Sequence, residues 1–302
     1  MASLMAPAPG SSLGQLAKAP PRRSAVSDFW GRFRKNHLAV AAAAFLILVH
    51  GLSFLAPVIA PYSAEAIDLT ATLVKFSGDH WIGTDESGRD VLTRLLYGGR
   101  ISLIVGLVSV IVSTVVGTVL GALSGYARGW IDTVVMRFTD AFLAIPTFFL
   151  LLTVLTLFGT TLINIVLVIG LTSWMNVARI VRGEVLKFRG EEYVTAARVM
   201  GADDLRIVLR HVLPQSVPSI IVSATLGVAF AIITESSLSF LGLGIQPPIP
   251  SWGNMLSNSQ QYVWTAPRLA VYPGVLIVLT VLAYNVLGNA LRDTLDPRLR
   301  GR

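Results

Sequence analysis

The stretch YVTAARVMGADDLRIVLRHVLP, Tyr193–Pro214, is a polar segment with helical periodicity inside a strongly apolar sequence. Its first half has small and apolar residues at spacings of three, four and seven: Tyr193, Ala196, Ala197 and Met200. Its second half repeats this spacing at Leu205, Val208, Leu209 and Val212. Gly201 predicts the end of the first helix, Asp203 fits an N-cap of the second, and Pro214 is expected to end it. The pattern predicts a solvated helix–turn–helix whose small face lets another backbone approach closely; the plainer alternative is an amphipathic helix on a membrane surface.

The rest of the chain has the composition of a membrane protein. Hydrophobic residues make up 53% of the 302 residues and charged residues 14%, and the mean hydropathy is +0.67. One uncharged run, residues 141–178, is about 57 Å long as a helix, which is enough for two crossings with a turn near Gly159. The sequence therefore predicts an all-α polytopic protein with six transmembrane helices: Leu38–Ala60, Ile101–Ala127, two within Ala141–Ala178, Val212–Thr234 and Leu269–Leu291.

The distribution of basic residues predicts the orientation of these spans. Only five of the 24 Lys and Arg residues fall in loops on one side: Lys75, Arg89, Arg94, Arg100 and Arg268. By the positive-inside rule the other side is cytoplasmic, so both termini and Tyr193–Pro214 are expected inside. The net charge of +7 then reflects orientation in a lipid bilayer rather than binding to a nucleic acid.

This topology divides the chain into four parts. Residues 1–36 are interpreted as a mobile cytoplasmic tail, and residues 37–97 as the first transmembrane helix with an external segment. Residues 98–291 form a core of five transmembrane helices, and residues 292–302 a cytoplasmic C-terminal tail. In the external segment, Thr84 or Asp85 is expected to cap a short helix along the outer interface. The loop from Leu241 to Met255, rich in Pro and Gly, is expected to be stiff and non-helical.

The Tyr193–Pro214 segment resembles the EAA loop of bacterial ABC-importer permeases. Ala196 and Ala197 are followed after three residues by Gly201, and nine residues later by His211-Val212-Leu213-Pro214. Thr195 replaces the usual Glu of that loop, and His211 replaces Ile. The resemblance implies a loop that couples the permease to an ATPase, with these residues: Tyr193, Thr195, Ala196, Ala197, Gly201, Ala202, Asp203, His211, Leu213 and Pro214.

Four further motifs are similar to the dipeptide/oligopeptide/nickel branch of these permeases, specifically the shorter of its two permease subunits. They are HWIGTDESGRDVLTRLLYGGRISL (80–103), MRFTDAFLAIP (136–146), SLSFLGLGIQPPIPSWGNML (237–256) and LGNALRDTLDPRLRG (287–301). The resemblance implies a type I importer in the bacterial cytoplasmic membrane, with a second homologous permease, two ATP-binding subunits and an extracytoplasmic substrate-binding protein. It also implies import of di- or oligopeptides; nickel, glutathione and oligosaccharides are alternatives within the branch.

The sequence contains no candidate for catalysis by this chain. It lacks the G-x-x-x-x-G-K-[ST] phosphate-binding loop, its four His residues are scattered, and it has no cysteine. We therefore expect no catalytic, cofactor or metal site, with ATP and Mg²⁺ bound by the partner subunits. A more remote alternative, an ion-coupled secondary transporter, would require inverted repeats and mid-membrane charges, which the sequence does not show.

Several residues within the spans are candidates for packing or for the transport pathway. Gly117, Gly121 and Gly125 share one helical face and predict close helix packing, with ligand binding as the alternative. His50 is interpreted as a hydrogen-bonded helix contact, and Asp140 as an ion pair with Arg137. The candidates for lining the pathway are Asn164, Ser173, Asn176, Glu235 and Asn285. For the Asn and Ser residues the alternative is hydrogen bonding between helices, and for Glu235 it is helix capping or snorkelling.

Overall fold

The computed structural model of the protein describes residues 25–295, and these residues are mostly helical, with one long irregular connection, residues 60–90, between the third and fourth helices. The α-helices are, in chain order, α1 (Ala25–Lys35), α2 (His37–Phe54), α3 (Ala56–Ile59), α4 (Val91–Ala127), α5 (Gly129–Leu143), α6 (Thr147–Phe158), α7 (Leu162–Phe188), α8 (Glu192–Val199), α9 (Asp204–Ile207), α10 (Leu213–Phe240), α11 (Trp252–Ser259) and α12 (Arg268–Leu295). A π-helical turn, Val208–Val212, joins α9 to α10, and a 3₁₀ turn, Gln260–Tyr262, follows α11.

Five helical stretches are long and apolar enough to cross a membrane: α2, α4, α7, α12 and the continuous stretch Asp204–Phe240. The pair α5 and α6 supplies a sixth crossing if the two helices act as one span, although they are bent by 84°. Helix α7 starts at Leu162, so the turn expected near Gly159 is present. The prediction of an all-α fold is confirmed for residues 25–295, which contain five of the six predicted spans and, in the bent α5–α6 pair, the candidate for the sixth.

Helix α4 differs from the predicted second span because it begins before the apolar run. Asp90 caps it, its side chain accepting a hydrogen bond from the Thr93 amide at 2.8 Å, and the helix then continues for 37 residues. The expected separate helix capped by Thr84 or Asp85 is therefore wrong. Asp85 instead closes the preceding turn by accepting hydrogen bonds from the Arg89 amide and from Arg89 Nε, at 2.9 and 2.7 Å.

The glycines of α4 allow its backbone to lie directly against α7. A Cβ atom at Gly117 would lie 2.7 Å from the Trp174 carbonyl oxygen, and one at Gly121 would lie 2.5 Å from the Ala178 carbonyl oxygen. A Cβ at Gly125 would be 2.9 Å from the Arg182 carbonyl oxygen. Since backbone atoms cannot move aside as a flexible side chain can, side chains larger than glycine would separate the two helices here.

Helix α5 is tied to α7 by two arginines. Arg182 donates two hydrogen bonds of 2.6 Å to the Asp132 carboxylate, in the bidentate geometry that favours arginine. Arg179 lies 2.5 Å from Asp140, and both side chains are about half exposed. The predicted pairing of Asp140 with Arg137 is therefore wrong, because the neighbouring helix supplies the cation.

His50, in contrast, contacts Tyr284 of α12 at 3.0 Å, so the expected helix contact is confirmed.

The α10–α12 connection, residues 241–267, packs against the N-terminal part of α4. Trp252 is 1% exposed, and its indole Nε1 donates a hydrogen bond to the Leu95 carbonyl at 3.0 Å. Gly99 makes room for it, since a Cβ there would lie 2.8 Å from the indole ring. The segment from Trp252 to Ser259 is helix α11, stabilised by a capping box between Ser251 and Asn254, so the expectation of a wholly non-helical loop up to Met255 is wrong.

The buried carboxyl group of Glu235 holds this connection to α4 and α10. Ser102 of α4 donates to one carboxyl oxygen at 2.9 Å, and Ser239 donates to the other at 2.7 Å. Each serine oxygen in turn accepts a backbone N–H from the connection: that of Trp252 at 3.2 Å on Ser102, and that of Ile245 at 3.0 Å on Ser239. Two relays of hydrogen bonds therefore converge on Glu235, which is fully buried.

The N-terminal region is structured earlier than expected. Residues 25–35 form α1, and Phe33 packs with Ala39 of α2 and Ala290 of α12. The expected tail of residues 1–36 is therefore helical in its last part, and its residues 1–24 lie outside the described residues, as do residues 296–302 of the C-terminal tail.

Candidate coupling loop and membrane cavity

The segment predicted to be the coupling loop, taken with its N-terminal flank as residues 191–214, has a sharp turn at Gly201. Its φ of +86° lies in the left-handed region that glycine adopts without strain, and the Ala202 amide bonds the Ala197 carbonyl at 3.1 Å across the turn. Asp203 then caps α9 by accepting the Arg206 amide at 3.3 Å. The helix end predicted at Gly201 and the N-cap predicted at Asp203 are therefore both present.

Pro214 does not end the second helix, contrary to the expectation. It lies in the first turn of α10, where a missing backbone N–H costs little, and the preceding π-helical turn lets the chain continue without a break. The coupling loop therefore runs directly into a transmembrane helix.

One side of the coupling loop is anchored to α4 and α7. Val194, Ile207 and Val212 are fully buried in a cluster with Val181 and Val185 of α7. At the C-terminal end of α4, the Tyr126 hydroxyl bonds Asp204 and accepts a hydrogen bond from Arg198 at 3.1 Å. Arg189 bonds the carbonyl oxygen of Tyr126. The loop is thus fixed to the helical core at several points.

The loop also exposes apolar side chains alongside its charged ones. They are Ala196, Val199, Met200, Leu205 and Leu209, with Val199 and Met200 more than 80% exposed. Ala197 is only 4% exposed and faces the core, so the prediction that Ala196 and Ala197 form one exposed face is wrong for Ala197. An alanine fits there because a larger side chain would push α8 away from the anchored side.

The remaining predicted loop residues have different environments. Thr195 is exposed, Ala202 and Leu213 are partly buried beside the valine cluster, and the Tyr193 hydroxyl lies 3.5 Å from the His211 carbonyl oxygen. Burial raises the pKa of the Tyr193 phenol, and the hydrogen bond to Tyr126 raises the pKa of the Arg198 guanidinium. Both shifts move away from neutrality, so neither group changes its charge near physiological pH.

A cavity of about 240 Å³ lies between α4, α7 and α10. Two of the predicted pathway residues, Ser173 and Asn176 of α7, line it. Thr172, beside Ser173 on α7, also lines it, as do five polar residues that were not singled out from the sequence: Ser109, Ser113, Thr114, Thr147 and Ser223. Ser109 and Ser113 are four residues apart in an apolar span, a spacing that places them on one helical face and that could have revealed them.

The other three predicted pathway residues do not line this cavity. Asn164 donates hydrogen bonds to the Phe158 and Gly159 carbonyls in the α6–α7 turn, at 2.7 and 3.1 Å. Asn285 donates to the Val281 carbonyl of its own helix at 2.9 Å. Glu235 is enclosed by its serines. The alternatives stated for them are not met in full either: Asn164 bonds a turn, Asn285 bonds its own helix, and Glu235 is fully buried instead of snorkelling.

Comparison with known proteins identifies the family of the chain. Residues 117–301 match the family described as binding-protein-dependent transport system inner membrane component, and residues 24–75 match the N-terminal transmembrane domain of oligopeptide transport permease C. The chain is 43% identical over 274 residues to the glutathione transport system permease protein GsiD of Pectobacterium atrosepticum, covering 90% of this chain and 91% of the relative. It is 42% identical to GsiD of Escherichia coli over 287 residues, or 95% of each chain.

Among solved structures, the chain is similar to an inward-facing form of the MetNI methionine ABC transporter. The TM-score is 0.55 at 20% identity, covering 67% of this chain and 97% of the other, and this likeness shows the fold of an ABC-importer permease. The family match covers more than half of the chain, including the coupling loop and most of the cavity lining. The chain therefore belongs to the family of binding-protein-dependent transport system inner membrane components.

Proposed function

We propose that this permease imports small peptides, including glutathione, as one of two homologous membrane subunits that work with two ATP-binding subunits and an extracytoplasmic binding protein. The observation that carries the substrate assignment is the 42–43% identity, over at least 90% of the chain, to permeases named for glutathione transport. Glutathione is itself a tripeptide, so both assignments share one ligand chemistry.

The exposed side of the coupling loop is the proposed contact with an ATP-binding subunit. Five apolar side chains are open to solvent there, although the opposite side of the same loop is firmly anchored. Apolar side chains grouped on the surface are typical of protein interfaces. ATP and Mg²⁺ are assigned to the partner, because this sequence lacks a phosphate-binding loop.

The proposed orientation places the coupling loop and both termini in the cytoplasm. Two structural features support this orientation. The α3–α4 and α10–α12 connections, both expected outside, lie together at the N-terminal end of α4, where Arg268 donates hydrogen bonds to the Leu73 and Val74 carbonyls at 2.9 and 3.0 Å. The coupling loop lies at the other end of α4, beside Tyr126.

Thiol labelling of intact cells tests this orientation. The chain has no cysteine, so single variants report one position each. Cysteines replacing the exposed residues Asp79 and Thr265 should react with a membrane-impermeant reagent, whereas one replacing Arg206 should react only after the membrane is opened. Labelling of the Arg206→Cys variant in intact cells would reverse the proposed topology.

Uptake by proteoliposomes tests the substrate. The complete complex, purified with its partner subunits, is reconstituted with ATP enclosed, and the binding protein and radiolabelled glutathione or a dipeptide are added outside. We expect ATP-dependent accumulation of the peptide, which an excess of unlabelled peptide suppresses and which Ni²⁺ or an oligosaccharide does not. Accumulation of Ni²⁺ or of the oligosaccharide, with no peptide uptake, would refute the peptide assignment.

A further inference from the structure

Helix α1 lies where the chain enters the membrane. It ends at Lys35, and after Asn36 the chain continues as α2, the first span. Arg34 and Lys35 are exposed, and on α2 the apolar side chains of Leu38 and Ile47 are exposed by 73% and 74%, as lipid-facing side chains are. Lys35 is three residues from Leu38, a distance of at most roughly 10 Å, and the headgroup layer is roughly 5–8 Å thick on each side of a bilayer. The last turn of α1 is therefore at the level of the lipid headgroups.

One face of α1 is fixed to the protein, and the edge beside it stays exposed. Phe33 is 7% exposed and packs with Ala39 of α2 and Ala290 of α12. Trp30, three residues earlier and adjacent on the helix surface, remains 48% exposed. The Arg34 guanidinium lies 4.8 Å from the centroid of the Trp30 ring, in a cation–π contact. The helix therefore presents an indole and a guanidinium together, close to the start of a span.

These groups fit the headgroup of an anionic phospholipid. Tryptophan is enriched at membrane–water interfaces because its ring is apolar and its N–H is polar. A guanidinium binds phosphate through N–H groups in its own plane, and stacking on an indole leaves that plane open. Residues 1–36 also hold six Lys and Arg against one acidic residue, Asp28, so the segment as a whole attracts an anionic surface.

We propose that α1 binds the headgroups of anionic phospholipids through Arg34 and Lys35, with Trp30 holding the Arg34 guanidinium in place. The permease thereby gathers anionic lipids around its first span. The proposal follows from α1 and α2 alone, so it holds whichever solute the permease carries. It also holds for either orientation of the chain, because α1 borders the same span in both.

Fluorescence quenching by labelled lipids, in the complex purified with its partner subunits, tests the proposal. Gly31→Cys gives the chain its only thiol, and a Cβ there meets no atom within 4 Å, so a fluorophore at this position disturbs α1 little. The complex is placed in phosphatidylcholine nanodiscs that contain a small fraction of nitroxide-labelled lipid, either phosphatidylglycerol or phosphatidylcholine. We expect labelled phosphatidylglycerol to be enriched near the fluorophore at least about fivefold over labelled phosphatidylcholine, the factor for one basic residue at an anionic surface. Raising the salt from about 0.1 to about 1 M should remove most of this preference, because it screens charges beyond about 3 Å.

Charge variants in the same labelled complex identify the residues responsible. Arg34→Gln combined with Lys35→Gln changes two exposed side chains, so the fold should persist while the lipid preference falls at least about fivefold. Trp30→Ala should lower the preference less, because the Arg34 guanidinium loses its stack but keeps its charge. Lys75→Gln, exposed in the α3–α4 connection, is the control for the loss of a charge elsewhere and should leave the preference unchanged.

Three results would overturn the lipid site. Equal quenching by the two lipids would show that α1 does not select anionic headgroups. A preference that persists in the Arg34→Gln/Lys35→Gln complex would show that other residues cause it. The absence of quenching by either lipid would show that a partner subunit, and not the membrane, covers this edge of α1.

Discussion

Replacing Met200 with glutamate should reduce ATP-driven transport at least about tenfold while leaving the membrane helices folded. Met200 is 82% exposed on the apolar side of the coupling loop, so the folded subunit alone is indifferent to a charge there. At an interface with an ATP-binding subunit the same carboxylate would be buried without a partner, at a cost of several kcal/mol. Uptake by proteoliposomes and the amount of ATP-binding subunit retained during purification are the measurements.

Met200→Leu is the matched control, because it keeps an apolar side chain of similar volume and should transport normally. Gly201→Val tests the same contact by straining the backbone turn that orients α8, while leaving the exposed apolar side chains unchanged. A β-branched residue resists the φ of +86°, although a Cβ at Gly201 would meet no atom within 4 Å, so the strain falls on the turn that orients α8. If the Met200→Glu complex retained its ATP-binding subunits and transported at the wild-type rate, this side of the loop would not be the docking surface.

Replacing Glu235 with leucine should lower the thermal stability of the purified subunit strongly. The change leaves the hydroxyls of Ser102 and Ser239 without their acceptor, and each unsatisfied buried group costs about 1–3 kcal/mol. Both hydroxyls also hold backbone N–H groups of the α10–α12 connection, so this connection should loosen from α4 first. The measurements are the apparent Tm in detergent and protease sensitivity of residues 241–267.

Glu235→Gln should be milder, because the amide keeps one acceptor oxygen and so preserves one of the two relays. Glu65→Leu, at an exposed position in the α3–α4 connection, is the control for the same chemical change outside the core and should leave Tm almost unchanged. A Glu235→Leu subunit as stable as Glu65→Leu would show that the relays do not stabilise the connection.

The sequence predicted the number of spans and the turn of the coupling loop because both depend on local chemistry. Uncharged runs reveal spans, and Gly201 followed by Asp203 reveals a helix end and a cap. It could not predict which face of α8 is buried: Ala196 and Ala197 are neighbours of equal size, and only the tertiary structure determines that Ala197 is the buried one.

The pathway candidates were harder to assign for the same reason. The sequence alone does not distinguish an Asn or Ser that bonds its own helix, as Asn285 does, from one that lines a cavity, as Ser173 does. The partner of Asp140 was missed because the true cation, Arg179, is distant in sequence. Pro214 was wrongly predicted to end a helix, because the π-helical turn before it lets the chain continue into α10 without a break.

Helix α4 spans about 56 Å without a break, and it is attached at both ends. Tyr126 joins it to the coupling loop, and Leu95 and Ser102 join it to the α10–α12 connection. Two binding events at opposite ends of this helix are thermodynamically linked if binding at one end shifts a conformational equilibrium at the other, and such linkage is reciprocal. If a protein bound at residues 191–214 shifts the equilibrium of residues 241–267 by a given free energy, a protein bound at residues 241–267 must change the affinity at residues 191–214 by the same amount. Any such coupling along α4 would therefore act in both directions, even when no substrate moves.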